Sequence, residues 1–208
     1  MLSFDTDGDF SSNYKFLIGS ILPRPIAVVS TLNPDGSNNI APFSFFNGFS
    51  AKPMIVGFAP LIRTSTGEKK DTVINIEREK EFVVNFVTEA NADQVNTTSH
   101  ELPFGEDESI VAGLTLLESE IVKARRIEQS PIHFECKLRD ILSYGDQPGA
   151  GTLITGEVVK VHVAEDIYDN GRIITKNWSP MGRGAGNDWF KTDNVVEKVR
   201  NMKAQIQK

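Results

Sequence analysis

Residues 26–59, IAVVSTLNPDGSNNIAPFSFFNGFSAKPMIVGFA, decide the fold class. The runs 26–31, 38–42 and 54–59 within this stretch are short and rich in β-branched or other apolar residues, which is typical of strands. Asn33–Gly36 provides a turn between the first two runs, with a glycine that can adopt a positive φ. Three strands so close together in the chain predict a β meander.

The rest of the chain continues this pattern, with short helices between the strands. Further strands are predicted at 81–87, 119–126, 132–142 and 153–163. Short helices are predicted at 13–19, 71–78 and 89–101, and a C-terminal helix at 194–207, where apolar residues recur at helical spacing. Frequent strands favour a mainly β fold, a closed or nearly closed antiparallel barrel, over a doubly wound sheet.

Length and composition limit the kind of protein. A chain of 208 residues, 39% of them hydrophobic, can form one domain with a sizeable core over residues 1–208, although two small domains would also fit. The net charge of -6 disfavours nucleic acid and anionic membranes as partners. A single cysteine excludes an intramolecular disulfide, and neither a membrane span nor a signal peptide is evident. We therefore expect a cytoplasmic protein.

Several common functional sites are not expected. The chain has neither a G-x-G-x-x-G fingerprint after a strand nor a P-loop, so any nucleotide must be held in another way. His100, His133 and His162 are far apart, and packing explains them better than a metal site does, so no metal is predicted. Cys136 alternates with apolar residues in a predicted strand, which indicates a buried small hydrophobe and not a nucleophile.

Hydroxyl, amide and aromatic side chains gather at the ends of the predicted strands. They form three groups: Ser30 and Thr31, Ser44 to Asn47, and Lys70 to Thr72. Such groups could bind a flat polar ring and, at a helix start, a phosphate. Core packing explains the aromatic residues equally well, and a helix cap explains Lys70 to Thr72. Taken singly, these groups leave both interpretations open.

Their order along the chain resembles that of the flavin reductase-like proteins with an FMN-binding split barrel. The matching stretches are RPIAVVST at 24–31, NIAPFSFFNGFS at 39–50, KDTVINI at 70–76, EFVVNF at 81–86 and SPIHFEC at 130–136. The resemblance covers most of residues 14–190. It implies a Greek-key split barrel, a homodimer with FMN near the subunit interface, and hydride transfer from NADH or NADPH to flavin. A redox partner protein is a further candidate acceptor of the electrons from the flavin.

The resemblance also implies which residues contact the cofactor. Ser30, Thr31, Ser44, Phe45 and Phe46 are implied flavin contacts, and Lys70, Asp71 and Thr72 follow, with Lys70 and Thr72 at the phosphate. Nearby candidates are Arg24, Asn47, Arg63 and Asn85. Arg183 is a further candidate, in a glycine-rich loop that could equally well be a surface loop without a function.

Two alternatives to a reductase stay open at this point. One is a non-catalytic FMN-binding electron-transfer protein, which needs the same flavin contacts. The other is a barrel of this kind that has lost flavin and serves as a structural or interaction module. No catalytic side chain is predicted, because hydride transfer to flavin needs none.

Overall fold

The computed structural model describes residues 1–7, 9–100, 102–103 and 106–198. The helices are α1 (Phe10–Ser20), α2 (Asp71–Glu79), α3 (Ala92–Thr97) and α4 (Glu108–Ala112), with short 3-10 helices at Glu89–Asn91, Glu165–Ile167 and Thr175–Asn177. The strands are β1 (Arg24–Pro25), β2 (Ala27–Leu32), β3 (Asn38–Phe43), β4 (Phe46–Ala51), β5 (Met54–Phe58), β6 (Glu81–Phe86), β7 (Leu116–Leu117), β8 (Arg126–Ile127), β9 (Ile132–Ser143), β10 (Thr152–Val163), β11 (Tyr168–Asp169), β12 (Arg172–Ile173), β13 (Met181–Arg183) and β14 (Trp189–Lys191). The mainly β prediction is confirmed.

Seven antiparallel strands form the main sheet, in the order β3-β2-β6-β9-β10-β5-β4. Only Ser44 and Phe45 separate β3 from β4, which are the two edges of the sheet. A flat sheet of this size would hold its edges about 29 Å apart. Three Cα steps span at most about 11 Å. The sheet must therefore curl into a barrel whose edges meet at this link, as the sequence predicted.

The predicted meander is wrong beyond its first hairpin. β2 and β3 pair as expected, but β5 pairs with β4 and β10 instead of β3. β4 (Phe46–Ala51) is not predicted from the sequence, because its glycine and its exposed residues hide the alternation of a strand. The chain thus leaves one edge of the barrel at β3 and immediately starts the opposite edge at β4.

The barrel is filled by apolar side chains from its strands and from α2, which closes one end. Phe58 and Phe82 are fully buried there, and Val73 and Ile76 of α2 pack against the same cluster. At Gly156 a Cβ atom would lie 2.4 Å from the ring of Phe82, so no larger residue fits. Cys136 is fully buried in this core, as predicted, and burial raises the pKa of its thiol.

Helices α3 and α4 cover the outer face of β2 and β3 through a second apolar cluster that includes Val28, Ile40 and Val95. The start of α4 also protects the open edge of the sheet. The carboxylate of Asp107 accepts the backbone N–H of Asn38 at 3.1 Å, and that of Glu108 accepts the N–H of Ile40 at 2.9 Å. Two otherwise unpaired donors of the edge strand β3 are satisfied in this way.

The predicted strand at 119–126 is wrong, because only Arg126 belongs to a strand. Residues 118–125 form an irregular strap, and its alternation arises because Val122 and Ala124 bury against Val83. The carboxylate of Glu135, a fully buried residue of β9, accepts the backbone N–H groups of three strap residues at 2.7–3.0 Å: Glu120, Ile121 and Val122.

The helix predicted at 194–207 does not form over residues 194–198. Residues 192–198 have no regular secondary structure, and 199–207 lie outside the described residues. Before them, β13 and β14 form a small sheet with β1, which holds Gly182 beside Pro25. In the part of the chain that the structure describes, no helix combines the length and hydropathy needed to span a bilayer.

Candidate functional site

A cavity of about 320 Å³ opens where the link between β3 and β4 meets the start of α2. Its size is within the range of small-molecule sites, roughly 300–1,000 Å³. Its wall combines aromatic and aliphatic residues with charged and hydroxyl groups from distant parts of the chain. The lining residues are Tyr14, Asn39, Ala41, Pro42, Phe43, Ser44, Phe45, Ala59, Leu61, Arg63, Lys70, Asp71, Thr72, Thr98, Ser99, His100, Leu102 and Glu108.

The start of α2 supplies the basic part of this wall. Lys70 is the N-cap residue, and its side chain does not cap the helix. The first backbone N–H groups of an α-helix lack partners within the helix and attract anions. Asp71 in the first turn pairs with Arg63 at 3.0 Å, and both side chains are mostly buried. Because Arg63 offsets the charge of Asp71, the start of α2 keeps its preference for an anion.

A buried hydrogen-bond network fixes the first turn of α2 against the barrel. The side-chain amide of Asn39 donates to the hydroxyl oxygens of Thr31 and Thr72, at 3.0 and 2.9 Å. The amide of Asn75 also donates to Thr31, at 3.2 Å. Thr31 does not itself line the cavity. It instead supports Asn39 and Thr72, which do.

The link residues Ser44 and Phe45 form the opposite wall and are held by Arg24. This arginine is 3% exposed. Its guanidinium donates to the carbonyl oxygens of Ile18 at 2.6 Å, Ile21 at 3.1 Å and Gly184 at 2.6 Å. Its Nε donates to the hydroxyl of Ser44 at 3.2 Å. Arg24 therefore does not line the cavity but positions the link that does.

The structure brings together six of the residues that the resemblance implies: Ser44, Phe45, Arg63, Lys70, Asp71 and Thr72 all line the cavity. Ser30 and Asn85 lie elsewhere and tie β2 and β6 to the segment around β8. The Ser30 hydroxyl donates to the carbonyl of Arg125, and the amide of Asn85 donates to Ser30 at 3.1 Å. The side-chain oxygen of Asn85 accepts the N–H of Ile127 at 2.8 Å.

Three further implied residues also lie outside this cavity. Phe46 and Asn47 line a neighbouring groove, which shares Phe45 and Ala59 with the cavity. The guanidinium of Arg183 lies 5.4 Å from the ring centroid of Trp189 and donates to the carbonyl of Gly186 at 2.7 Å. These contacts give Arg183 a local partner on its own loop.

Six polar residues of the cavity wall were not predicted as site residues: Tyr14, Asn39, Thr98, Ser99, His100 and Glu108. Asn39 is a polar residue of a predicted strand at the start of the matching stretch 39–50, and nothing in its spacing distinguishes it as a site residue. Glu108 is 7% exposed, and this burial raises its pKa to about 6 against the opposing hydrogen bond from Ile40. Its position in a five-residue helix far along the chain gave no sequence signal.

Residues 18–177 of this chain match the model of the "Flavin reductase like domain". The chain belongs to the flavin reductase-like family. Membership implies a flavin as the small-molecule ligand.

Several known proteins are similar to this chain over most of its length. A protein of Halalkalibacterium halodurans with no described function is 41% identical over 181 residues, which are 86% of each chain. Nitrilotriacetate monooxygenase component B from Bacillus cereus superposes with a TM-score of 0.89 at 35% identity, over 97% of this chain and 98% of the other. The 2-nitrobenzoate 2-nitroreductase NbaA of Pseudomonas fluorescens gives 0.87 at 28% identity, over 100% of both chains. The predicted split-barrel fold is confirmed.

Proposed function

We propose that this flavin reductase-like protein binds FMN in the cavity and transfers hydride from NADH or NADPH to flavin. One observation carries the proposal. A single cavity joins an uncapped helix start, flanked by Lys70 and Arg63, to an aromatic wall around Phe45. An anion subsite next to an aromatic subsite is what a phosphate-bearing ring needs.

The donor set of the cavity fits FMN at both ends. Lys70 and the first amides of α2 can hold the phosphate, with Arg63 keeping Asp71 neutralised. Tyr14 and Phe45, whose ring centroids are 6.3 Å apart, offer apolar surface to the ring system, and the Ser44 hydroxyl offers a polar contact. The fit distinguishes this cavity from the neighbouring groove, whose lining among the described residues is entirely uncharged.

The chemistry in this proposal belongs to the cofactor, because bound flavin supplies the atom that accepts the hydride. The protein residues bind and orient. Arg24 fixes Ser44, the Asn39 network fixes Thr72, and the aromatic wall excludes water from one side of the ring. No side chain needs to move a proton for this step.

The visible spectrum of the purified protein tests the proposal. We expect flavin absorbance after FMN titration and its rapid bleaching on anaerobic addition of NADH or NADPH. Bound flavin that is bleached only by a reduced partner protein would identify an electron-transfer protein. A colourless protein that ignores added FMN would overturn the cofactor assignment.

Replacement of Lys70 by alanine is expected to weaken FMN binding about 10- to 150-fold. The lost charge-assisted phosphate contact contributes about 1.5–3 kcal/mol. Lys69→Ala is the matched control, since Lys69 pairs with Glu77 on the surface at 2.5 Å and does not line the cavity. Fluorescence titration with FMN measures both dissociation constants. Equal affinities for the two variants would remove Lys70 from the phosphate site.

The proposal includes a homodimer in the cytoplasm. The cytoplasmic location rests on the single-cysteine composition.

The dimer is supported by β4, an edge strand whose residues from Asn47 to Ala51 are all exposed, with Phe49 57% exposed. Exposed apolar edges of this kind are usually covered. Light scattering should give twice the chain mass of 23.0 kDa, and a mass of one chain would contradict the dimer.

A further inference from the structure

Glu108 is a buried carboxyl in the cavity wall that flavin binding as described above does not use. Its Oε2 accepts the N–H of Ile40 at 2.9 Å, and its own backbone N–H is a second donor to this carboxylate. The side chain is 7% exposed. A buried carboxylate with so few donors is poorly compensated when it is charged.

Adjacent residues of β3 join Glu108 to the start of α2. Ile40 donates to Glu108, while the neighbouring Asn39 donates to the hydroxyl of Thr72 at 2.9 Å. Asp71 lines the same cavity, and its negative charge acts on Glu108. Glu108 therefore lies close enough to the proposed phosphate subsite for its charge to be felt there.

The titratable groups around Glu108 come from several elements of the wall. They are Tyr14 of α1, Arg63 and Lys70 before α2, Asp71 in α2, His100 after α3, and Asp107 at the start of α4. Burial is the main cause that raises the pKa of Glu108 to about 6, and the charges of Asp71 and Asp107 contribute in the same direction. The pKa of Asp107 is lowered, because its hydrogen bonds from Ser109 and Asn38 outweigh its burial.

We propose that ionisation of Glu108 weakens the binding of the flavin phosphate in this cavity, so that the site holds FMN more tightly when Glu108 is protonated. This inference rests on the proposed function. A charged carboxylate repels a phosphate dianion across the poorly screened wall, whereas a protonated one does not and can donate a hydrogen bond. Glu108 thus makes FMN occupancy depend on pH.

Titrations of FMN at pH 5.5 and pH 7.5, followed by flavin fluorescence, test this for the wild type and E108Q. Glutamine keeps an oxygen for the N–H of Ile40 but carries no charge. We expect E108Q to bind FMN roughly threefold to tenfold more tightly than the wild type at pH 7.5, with little difference at pH 5.5. The ionisation of the FMN phosphate itself is common to both proteins and cancels in the ratio of dissociation constants.

E118Q is the matched control, because Glu118 is an exposed carboxylate that pairs with Arg125 at 2.9 Å and does not line the cavity. The ratio of its FMN dissociation constant to that of the wild type should be the same at both pH values. Riboflavin, which lacks the phosphate, serves as a second control and should show no pH-dependent difference between E108Q and the wild type.

The possible outcomes separate this inference from the proposed function. A ratio of E108Q to wild-type affinity for FMN that does not change with pH would overturn the role of Glu108 and leave flavin binding intact. Absence of FMN binding by every variant at both pH values would overturn the proposed function together with the inference. Thermal unfolding without ligand gives an independent measure. E108Q should gain stability over the wild type as the pH rises from 5 to 7.5, because only the wild type then buries a charge.

Discussion

Replacement of Glu135 by alanine is expected to lower the free energy of unfolding by about 3–5 kcal/mol. The change removes the acceptor of three backbone N–H groups in the strap and of the His162 ring, whose Nε2 lies 2.6 Å from Oε1 of Glu135. Each buried donor that is left unpaired costs about 1–3 kcal/mol, and partial rearrangement of the strap reduces the sum. Urea denaturation of the variant and the wild type measures the difference.

Glu135 should also govern the acid stability of the barrel. Burial alone would raise its pKa, but hydrogen bonds from the strap amides and His162 lower it to about 2. A carboxyl with a depressed pKa in the folded state stabilises the protein above its unfolded pKa of about 4.5 and loses this contribution as the pH falls toward 2. Its contribution at neutral pH is about 3 kcal/mol. We expect Glu135→Gln to flatten the loss of stability between pH 4.5 and pH 2.

Glu157→Ala is the control for Glu135, because Glu157 lies on the adjacent strand β10 in an exposed ion pair with Arg139 at 3.8 Å. Such pairs contribute about 0–1 kcal/mol, so its loss should change stability little. If Glu135→Ala were no more destabilising than Glu157→Ala, the strap would not depend on Glu135.

Replacement of Arg24 by methionine is expected to lower the free energy of unfolding by about 3–5 kcal/mol and to weaken FMN binding as well. Methionine preserves the apolar stem but leaves the carbonyls of Ile18, Ile21 and Gly184 without their donor. It also frees Ser44 in the cavity wall. Urea denaturation and FMN titration measure the two effects.

Arg139→Met provides the comparison for Arg24, since its side chain is 58% exposed and makes one long ion pair. It should alter neither stability nor FMN affinity appreciably. Full stability of Arg24→Met would show that the carbonyls find other donors. Full stability with lost FMN affinity would instead place Arg24 in direct contact with the cofactor.

The sequence predicted the strands with continuous or alternating apolar residues and the hairpin that a glycine turn joins, because both leave local signals. Prediction from the sequence was wrong where contacts with distant parts of the chain determine the structure. The strap at 118–125 alternates like a strand, yet its N–H groups bond to Glu135 and not to a neighbouring strand. β4 was missed because its exposed residues lack alternation. Pairing partners and side-chain acceptors from distant parts of the chain decide both cases.

The candidate site shows the same division. Lys70, Asp71 and Thr72 could be found because a helix start has a recognisable sequence, and they do line the cavity. Ser30 and Thr31 are the last two residues of the matching stretch 24–31 and lie on β2, but their side chains take part in buried hydrogen-bond networks instead. Whether a hydroxyl faces a ligand or a neighbouring amide depends on the curl of the sheet, which the one-dimensional pattern does not contain.

The two-residue link between β3 and β4 also bears on how the protein folds. The barrel is complete only after pairings such as Phe58 with Ile154, which are far apart in the sequence, have formed. Contacts of this kind close large loops and are slow to form. Because the cavity lies where the two edges of the sheet meet, it does not exist before that closure. A ligand of this cavity therefore binds only the finished barrel, and its binding free energy stabilises all seven strands at once.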